Sequence, residues 1–413
     1  MRRILSYFAF CASLMAVLST AAPAQSESQP LQILVDADYS IDFGAARAIE
    51  LGIRTALHEA GSMLGGLPVE VVARNHRANA KRSHATMRSY LESGQAVVIF
   101  GGKHSPPYLR HREFINQNEI LMLLPWSAAG PVTRAAPGDQ NWIFRLSVDD
   151  SKAGGYLVGR AMKEGACNRT ALLLLDTGWG RANEVTMRQA FRELQEQPAA
   201  ILYFDSAIGT AGAEAIARQV ETTGADCVIL LANATEGAYL SNALDSLAPG
   251  IRMFSHWGIL SSLYPDMVKP GVRARLGLRV LQTCGLQSEK QGNPVLVQAL
   301  KTASKQQGHI ASLAELPAPA GFVHAYDLTR LLIAAADQAA QTGAWAGSLE
   351  DKRRGLRDAL EQLNAEVPGI LGPYHRPFAP YSMADPDAHE ALGRDDLCMT
   401  SFRQDGRLQH VSQ

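Results

Sequence analysis

Beyond Leu18, this 413-residue chain has no long apolar run, no block of like charge and no low-complexity segment. The missing apolar runs leave nothing after the N-terminus that meets the ~20 consecutive residues a membrane-spanning helix needs. Net charge is −1, with both signs scattered along the chain, so neither nucleic acid nor an anionic membrane surface is favoured as a partner. Cysteine is scarce, at five residues, and no CxxC or other metal-ligand spacing occurs. Enzyme signatures are missing as well. There is no GxSxG elbow and no P-loop, and His58-Glu59 and His389-Glu390 lack the second histidine of HExxH. His104 and His111 have no cysteine or carboxylate at ligand spacing beside them, so neither a metal nor any other cofactor is expected.

What is present begins with a secretory signal. Met1-Arg2-Arg3 is basic, Ile4 to Leu18 is apolar, and Ala22-Pro23-Ala24 offers the small residues a signal peptidase reads. Residues 1–24 are therefore expected to be removed on export to the periplasm. Cys11 follows the bulky Phe10, which disfavours a lipid anchor. An exported chain can form disulfides, and Cys284 with Cys398 is one candidate pair; Cys227, inside the run CVILLA, reads more plainly as a small buried hydrophobe.

From residue 31 to about 260, short apolar runs alternate with helical patterns, as in βα units around a parallel sheet. The strands read as 31–36, 69–74, 96–102 and 120–125, then 171–176, 199–204, 227–232 and 252–256. Their apolar residues are continuous, as expected where helices cover both faces. Ile49, Ile53 and Leu57 form one apolar stripe of a helix starting near Gly44. Further helices are expected at 80–93, 107–118, 150–164, 181–195, 210–223 and 236–246. After an extended stretch at 276–283 come helices at 293–307, 320–342 and 348–364, then the Gly- and Pro-rich cluster 367–380. The mature chain is long enough for two cores.

Ligands of open α/β sheets bind beyond the carboxyl ends of the strands. The residues there are Asp38, Tyr39 and Asp42; Lys103, His104 and Ser105; Trp126-Ser127-Ala128; Asp176 to Gly180; Asn233 and Glu236; and Ser255 to Gly258. Ser105 could cap the following helix or contact a ligand. Gly178-Trp179-Gly180 is a weak dinucleotide signal, since Asn183 stands where GxGxxG requires its third glycine.

The strand Ile120 to Leu124, its stop at Pro125, the loop Trp126-Ser127-Ala128 and the pair Phe144-Arg145 resemble the type I periplasmic solute-binding proteins of branched-chain amino-acid ABC importers. That resemblance implies an α/β fold of two Rossmann-like lobes with parallel sheets joined by a three-segment hinge. It places 30–146 plus 282–365 in lobe 1 and 147–281 plus 366–408 in lobe 2. It also implies a non-catalytic receptor that closes around a small molecule and engages a membrane permease. The alternative partner is a membrane sensor protein, a kinase or cyclase. The ligand motif departs from the family pattern: Ser127 could hold one polar contact, but Ala128 stands where a second hydroxyl is usual. In the last loop Trp257, or His256 after a one-residue shift, replaces the acidic partner of an ammonium, with Glu236 as a possible substitute. A buried ammonium lacking a counter-charge is costly. A standard α-amino acid is therefore not expected. Trp126, Trp179 and Trp257, with Tyr39 and Tyr326 as further aromatics, suit an aromatic or apolar molecule or a quaternary cation.

Overall fold

The computed structural model describes residues 29–41, 43–134, 140–164, 167–286 and 293–411. The export signal, Cys11 and Asp42 of the sequence reading lie outside the described residues. Two α/β lobes are formed. The first sheet runs in the order β2-β3-β1-β4-β5-β6, built from β1 (Leu31–Ala37), β2 (Met63–Leu64), β3 (Leu67–Asn75), β4 (Ala96–Gly101), β5 (Met122–Leu124) and β6 (Ile143–Arg145). All its pairings are parallel except β2 with β3. Helices α1 (Phe43–Glu59), α2 (Ala80–Glu92) and α3 (Pro106–Gln117) connect these strands.

The second sheet has the order β15-β14-β11-β10-β9-β7-β8. It comprises β7 (Thr170–Leu175), β8 (Ala200–Phe204), β9 (Cys227–Leu231), β10 (Arg252–Ser255), β11 (Arg279–Thr283), β14 (Leu397–Phe402) and β15 (Leu408–His410). Strands β7 to β11 pair in parallel, and β14 and β15 add antiparallel edges. Its helices are α4 (Asp150–Gly159), α5 (Gly178–Glu193), α6 (Thr210–Thr222), α7 (Ala234–Leu247), α8 (Leu263–Met267) and α9 (Pro270–Arg275). The central runs of both sheets, such as Val97 to Phe100 and Val228 to Leu231, are wholly buried, which is why they show no polar alternation. The helix expected to run to 164 changes to a π-helical turn over Arg160–Glu164. The short β2, β6, β12 (Glu366–Pro368), β13 (Pro373–His375) and β15 fall below the lengths that periodicity detects.

After β11 the chain returns to the first lobe as α10 (Pro294–Gln307), α11 (Pro319–Gln341) and α12 (Leu349–Glu361). Helices α1 and α11 lie against each other because position 52 is glycine; a Cβ there would stand 2.4 Å from the Phe322 carbonyl oxygen. A hairpin of β12 (Glu366–Pro368) and β13 (Pro373–His375) then docks on α11. Buried Asp327 holds it, accepting from the Ile370 and Leu371 amides at 2.7 and 3.0 Å and from the Tyr374 hydroxyl at 2.8 Å.

The chain passes between the two sheets three times, and the first and third passages are tied by charge. Arg145, fully buried, donates to Glu390 at 2.6 and 2.7 Å and to Asp149 at 2.9 Å, and also bonds the Ser127 and Ala129 carbonyls. Arg134 binds Asp149 at 2.6 Å and also reaches Asp387. Burial raises the Asp149 carboxyl, but the surrounding Arg145 and Arg134 guanidinium groups outweigh it and hold the group below its usual range. Two disulfides complete the frame. Cys284–Cys398 ties β14 to the end of β11, and Cys167–Cys227 ties the approach to β7 to the start of β9. Cys227 is therefore not the free buried thiol read from CVILLA: its side chain is apolar in surroundings but covalently paired.

Candidate functional site

Each sheet has a point where successive connections leave in opposite directions: between β1 and β4 in the first, between β7 and β9 in the second. The gaps there are where open α/β sheets accept ligands. Asp38 follows β1 and Lys103-His104-Ser105 follows β4; Thr177 follows β7 and Asn233 follows β9. All line one cavity of about 340 Å³ between the lobes. That volume suits a small organic molecule.

Three tryptophans dominate its walls. Trp126 reaches in from the first lobe, Trp179 and Trp257 from the second. The rings of Trp126 and Trp257 meet across the cleft with centroids 5.4 Å apart and planes tilted by 37°. Trp126 packs on Gly321, where a Cβ would lie 2.7 Å from the indole. Its ring also lies 5.4 Å from Lys103 Nζ, while its own Nε1–H is buried with no acceptor. Trp179 stands in the first turn of α5, which Thr177 caps by accepting from the Gly180 amide at 3.3 Å.

Asp150 fixes the second-lobe aromatics and was not singled out by sequence. Its carboxylate accepts from Trp179 Nε1 at 2.6 Å, Asn183 Nδ2 at 2.7 Å and His256 Nε2 at 2.7 Å. Because His256 Nδ1 accepts from the Gly258 amide at 3.2 Å, the proton must be on Nε2. His256 is thus a buried support under Trp179, with rings 5.2 Å apart, rather than part of the lining. The only advance signal for Asp150 was its place in the opening turn of a helix, which any solvated Asp would share.

Of the other residues singled out by sequence, His104, Ser105, Ala128, Asn233 and Glu236 line the cavity. Ser105 stands at the start of α3 but makes no capping bond; its hydroxyl oxygen accepts from the Ala129 amide at 3.2 Å instead. Glu236 is buried, 3.5 Å from Asn233 Nδ2. Asp38 Oδ2 faces His104 Nε2 at 3.6 Å. Burial raises the Asp38 carboxyl, but His104 and the Ser40 and Ile41 amides pull it down to about 2. Three residues lie elsewhere. Tyr39 donates to Glu50 at 2.9 Å, Tyr326 to Glu59 at 2.6 Å, and Ser127 to the Gly102 carbonyl at 2.8 Å. These tyrosines have hydroxyls long enough to reach carboxylates on α1, so the aromatic walls are the three tryptophans.

Two open α/β sheets facing each other across a shared, largely apolar cleft define a two-lobed solute receptor. A family model described as periplasmic binding protein matches residues 39–389, and the chain belongs to that family. Its members' location is periplasmic, and no helix among the described residues is long and apolar enough to cross a membrane. The fold is similar to that of a leucine binding protein from Thermotoga maritima, at 16% identity over 92% of this chain and 98% of that one, with a TM-score of 0.72. An ABC-transporter solute binding protein from R. palustris, solved with 4-hydroxybenzoate, gives 18% identity, 93% and 96% coverage and a TM-score of 0.72. Another from R. palustris, solved with benzoate, gives 15%, 93% and 96%, and 0.70. No curated protein matches the chain in sequence.

Proposed function

We propose that this protein is an exported receptor, freed of residues 1–24, that closes on a small aromatic solute and hands it to the permease of an ABC importer. The observation that carries the reading is the cage of Trp126, Trp179 and Trp257 around the interlobe cavity. An aromatic ring packed against these indoles exchanges water contact for ring contact with both lobes at once, which favours the closed form over the open one.

The polar groups favour a ring with unlike ends. On the first lobe, Lys103 lines the cavity as a cation, which suits a carboxylate. On the second, Glu236 offers an acceptor for a hydroxyl or amino substituent. Hydroxylated or aminated aromatic acids satisfy both. A branched-chain amino acid would fill the volume but leave the tryptophan faces poorly used, and its ammonium would have only Glu236 and the His104-paired Asp38 as anionic partners.

The test is a thermal-shift series of the purified protein against aromatic acids, branched-chain amino acids, alcohols and quaternary amines, paired with uptake of the best ligand in a deletion strain. Binding at a hundredfold excess over Kd stabilises by about 2.7 kcal/mol, so the true class separates clearly. Aromatic acids are expected to give the largest shift and to lose uptake on deletion. A larger shift with leucine or a quaternary amine would refute the ligand class, and undiminished uptake would refute the transport role.

A further inference from the structure

Helix α11 packs in the first lobe against α1, yet one of its faces carries the tryptophan cage. Residues three apart on a helix share a face, and Gly321, His324 and Asp327 are so spaced. Gly321 lies against the Trp126 indole. One turn on, His324 meets Trp257 from the opposite lobe, with ring centroids 5.5 Å apart and planes inclined by 59°. After a further turn, Asp327 holds the β12–β13 hairpin, from which the chain leaves for the second sheet.

His324 also reaches the second passage between the sheets. Its Nε2 and the Thr283 hydroxyl are hydrogen-bonded at 3.0 Å, and Thr283 is the last residue of β11, where the chain departs for α10. The Cys284–Cys398 disulfide fixes the next residue to β14, so Thr283 is anchored to the second sheet. Both His324 and Thr283 are buried, and neither lines the cage cavity. Burial pushes the imidazole down to about 3, outweighing the nearby Pro125 carbonyl, so the ring is neutral at pH 7. A buried imidazole costs stability at a helix position where leucine would not.

We infer that His324 is a positioning residue that ties the cage to lobe closure: it seats Trp257 against the first lobe and latches α11 to the end of β11. The inference rests on the closing, two-lobed receptor of the proposed function and not on its ligand being aromatic. Trp257 and Thr283 belong to the second lobe and His324 to the first, so both contacts are made in the closed form and lost as the cleft opens. Their free energy adds to the closed form alone, and removing them lowers the fraction of protein competent to hold a ligand. Because His324 does not line the cavity, the loss weakens every cage ligand by a common factor.

The test is calorimetric titration of 4-hydroxybenzoate and, separately, leucine into the whole purified protein, its His324→Leu and Thr283→Val variants and the double variant. His324→Leu is expected to weaken whichever ligand binds by about tenfold and Thr283→Val by about fivefold. Thr283→Val should add nothing to His324→Leu, since one hydrogen bond serves both residues. His324→Gln, whose amide reaches as far as Nε2, should recover part of the loss. A residue that only fills the core would lower the melting temperature of the ligand-free protein and leave affinity unchanged. The inference is overturned if both single variants bind as the unaltered protein does, or if their losses simply multiply. Binding of leucine alone, weakened in this pattern, would sink the aromatic reading and uphold the inference; aromatic-acid binding indifferent to both substitutions would do the reverse. Absence of saturable binding by either molecule would overturn both. Thr283→Val keeps the native shape, so its effect on affinity decides the matter even if His324→Leu does not fold.

Discussion

Asp150 shows what a single side chain does for this site. Three donors converge on its carboxylate, and two of them belong to the aromatic wall and its support. In Asp150→Asn one carboxylate oxygen becomes an NH2 that faces existing donors, so the mutant should lose about 2–3 kcal/mol in denaturant unfolding and bind the cage ligand more weakly. Unchanged stability would mean that the indole is held by packing alone. The tryptophans were legible because they follow strands; Asp150 was not, because its role exists only once α4, α5 and the loop after β10 meet. Asp327 gives a pH signature. Burial raises its carboxyl to about 6, against the lowering effect of the Ile370 and Leu371 amides and the Tyr374 hydroxyl. Between the ordinary carboxylate pKa and about 6 the folded protein holds a proton that the unfolded chain has released, so this group makes stability fall as pH rises through that window. Asp327→Asn should flatten that slope in urea titrations at pH 4 to 7, and an unaltered slope would contradict the assignment.

At the scale of elements, the strands that carry the site were readable because continuous apolar runs bounded by polar residues have few other meanings in a chain of this length. The antiparallel strands β14 and β15 were not, because β14 is set by pairing with distant β11 and β15 by pairing with β14. The same non-local cause hid the second disulfide. Cys227 sits in a fully apolar strand, and nothing adjacent in sequence announces Cys167, 60 residues earlier. Closing a loop of that length is worth about 4 kcal/mol in the chain-entropy account. Cys167→Ser with Cys227→Ser should therefore lower the melting temperature by several degrees, with a larger fall when the unaltered protein is reduced and Cys284–Cys398 opens as well. No fall in either measurement would show that the bridge does not constrain the unfolded chain.

Taken whole, the molecule places the loops from two topological switch points opposite each other and joins the lobes by three strands of chain. The Arg145–Glu390 pair fastens two of those passages where Phe144-Arg145 had pointed to one in sequence. The proposed function has the lobes close as rigid bodies about these charged, buried passages, with the ligand supplying the difference in energy between open and closed forms. The fold was legible from order and spacing; the ligand class was legible only as a departure from the amino-acid pattern, since Ala128 and Trp257 show what is missing and not what takes its place. The most direct test of the aromatic cage is calorimetric titration of 4-hydroxybenzoate and leucine into the unaltered protein and Trp126→Ala. The account predicts saturable binding of the aromatic acid at one equivalent, weakened by about tenfold or more in the variant, and weak or absent binding of leucine. Tighter binding of leucine, or aromatic-acid affinity indifferent to Trp126, would contradict it.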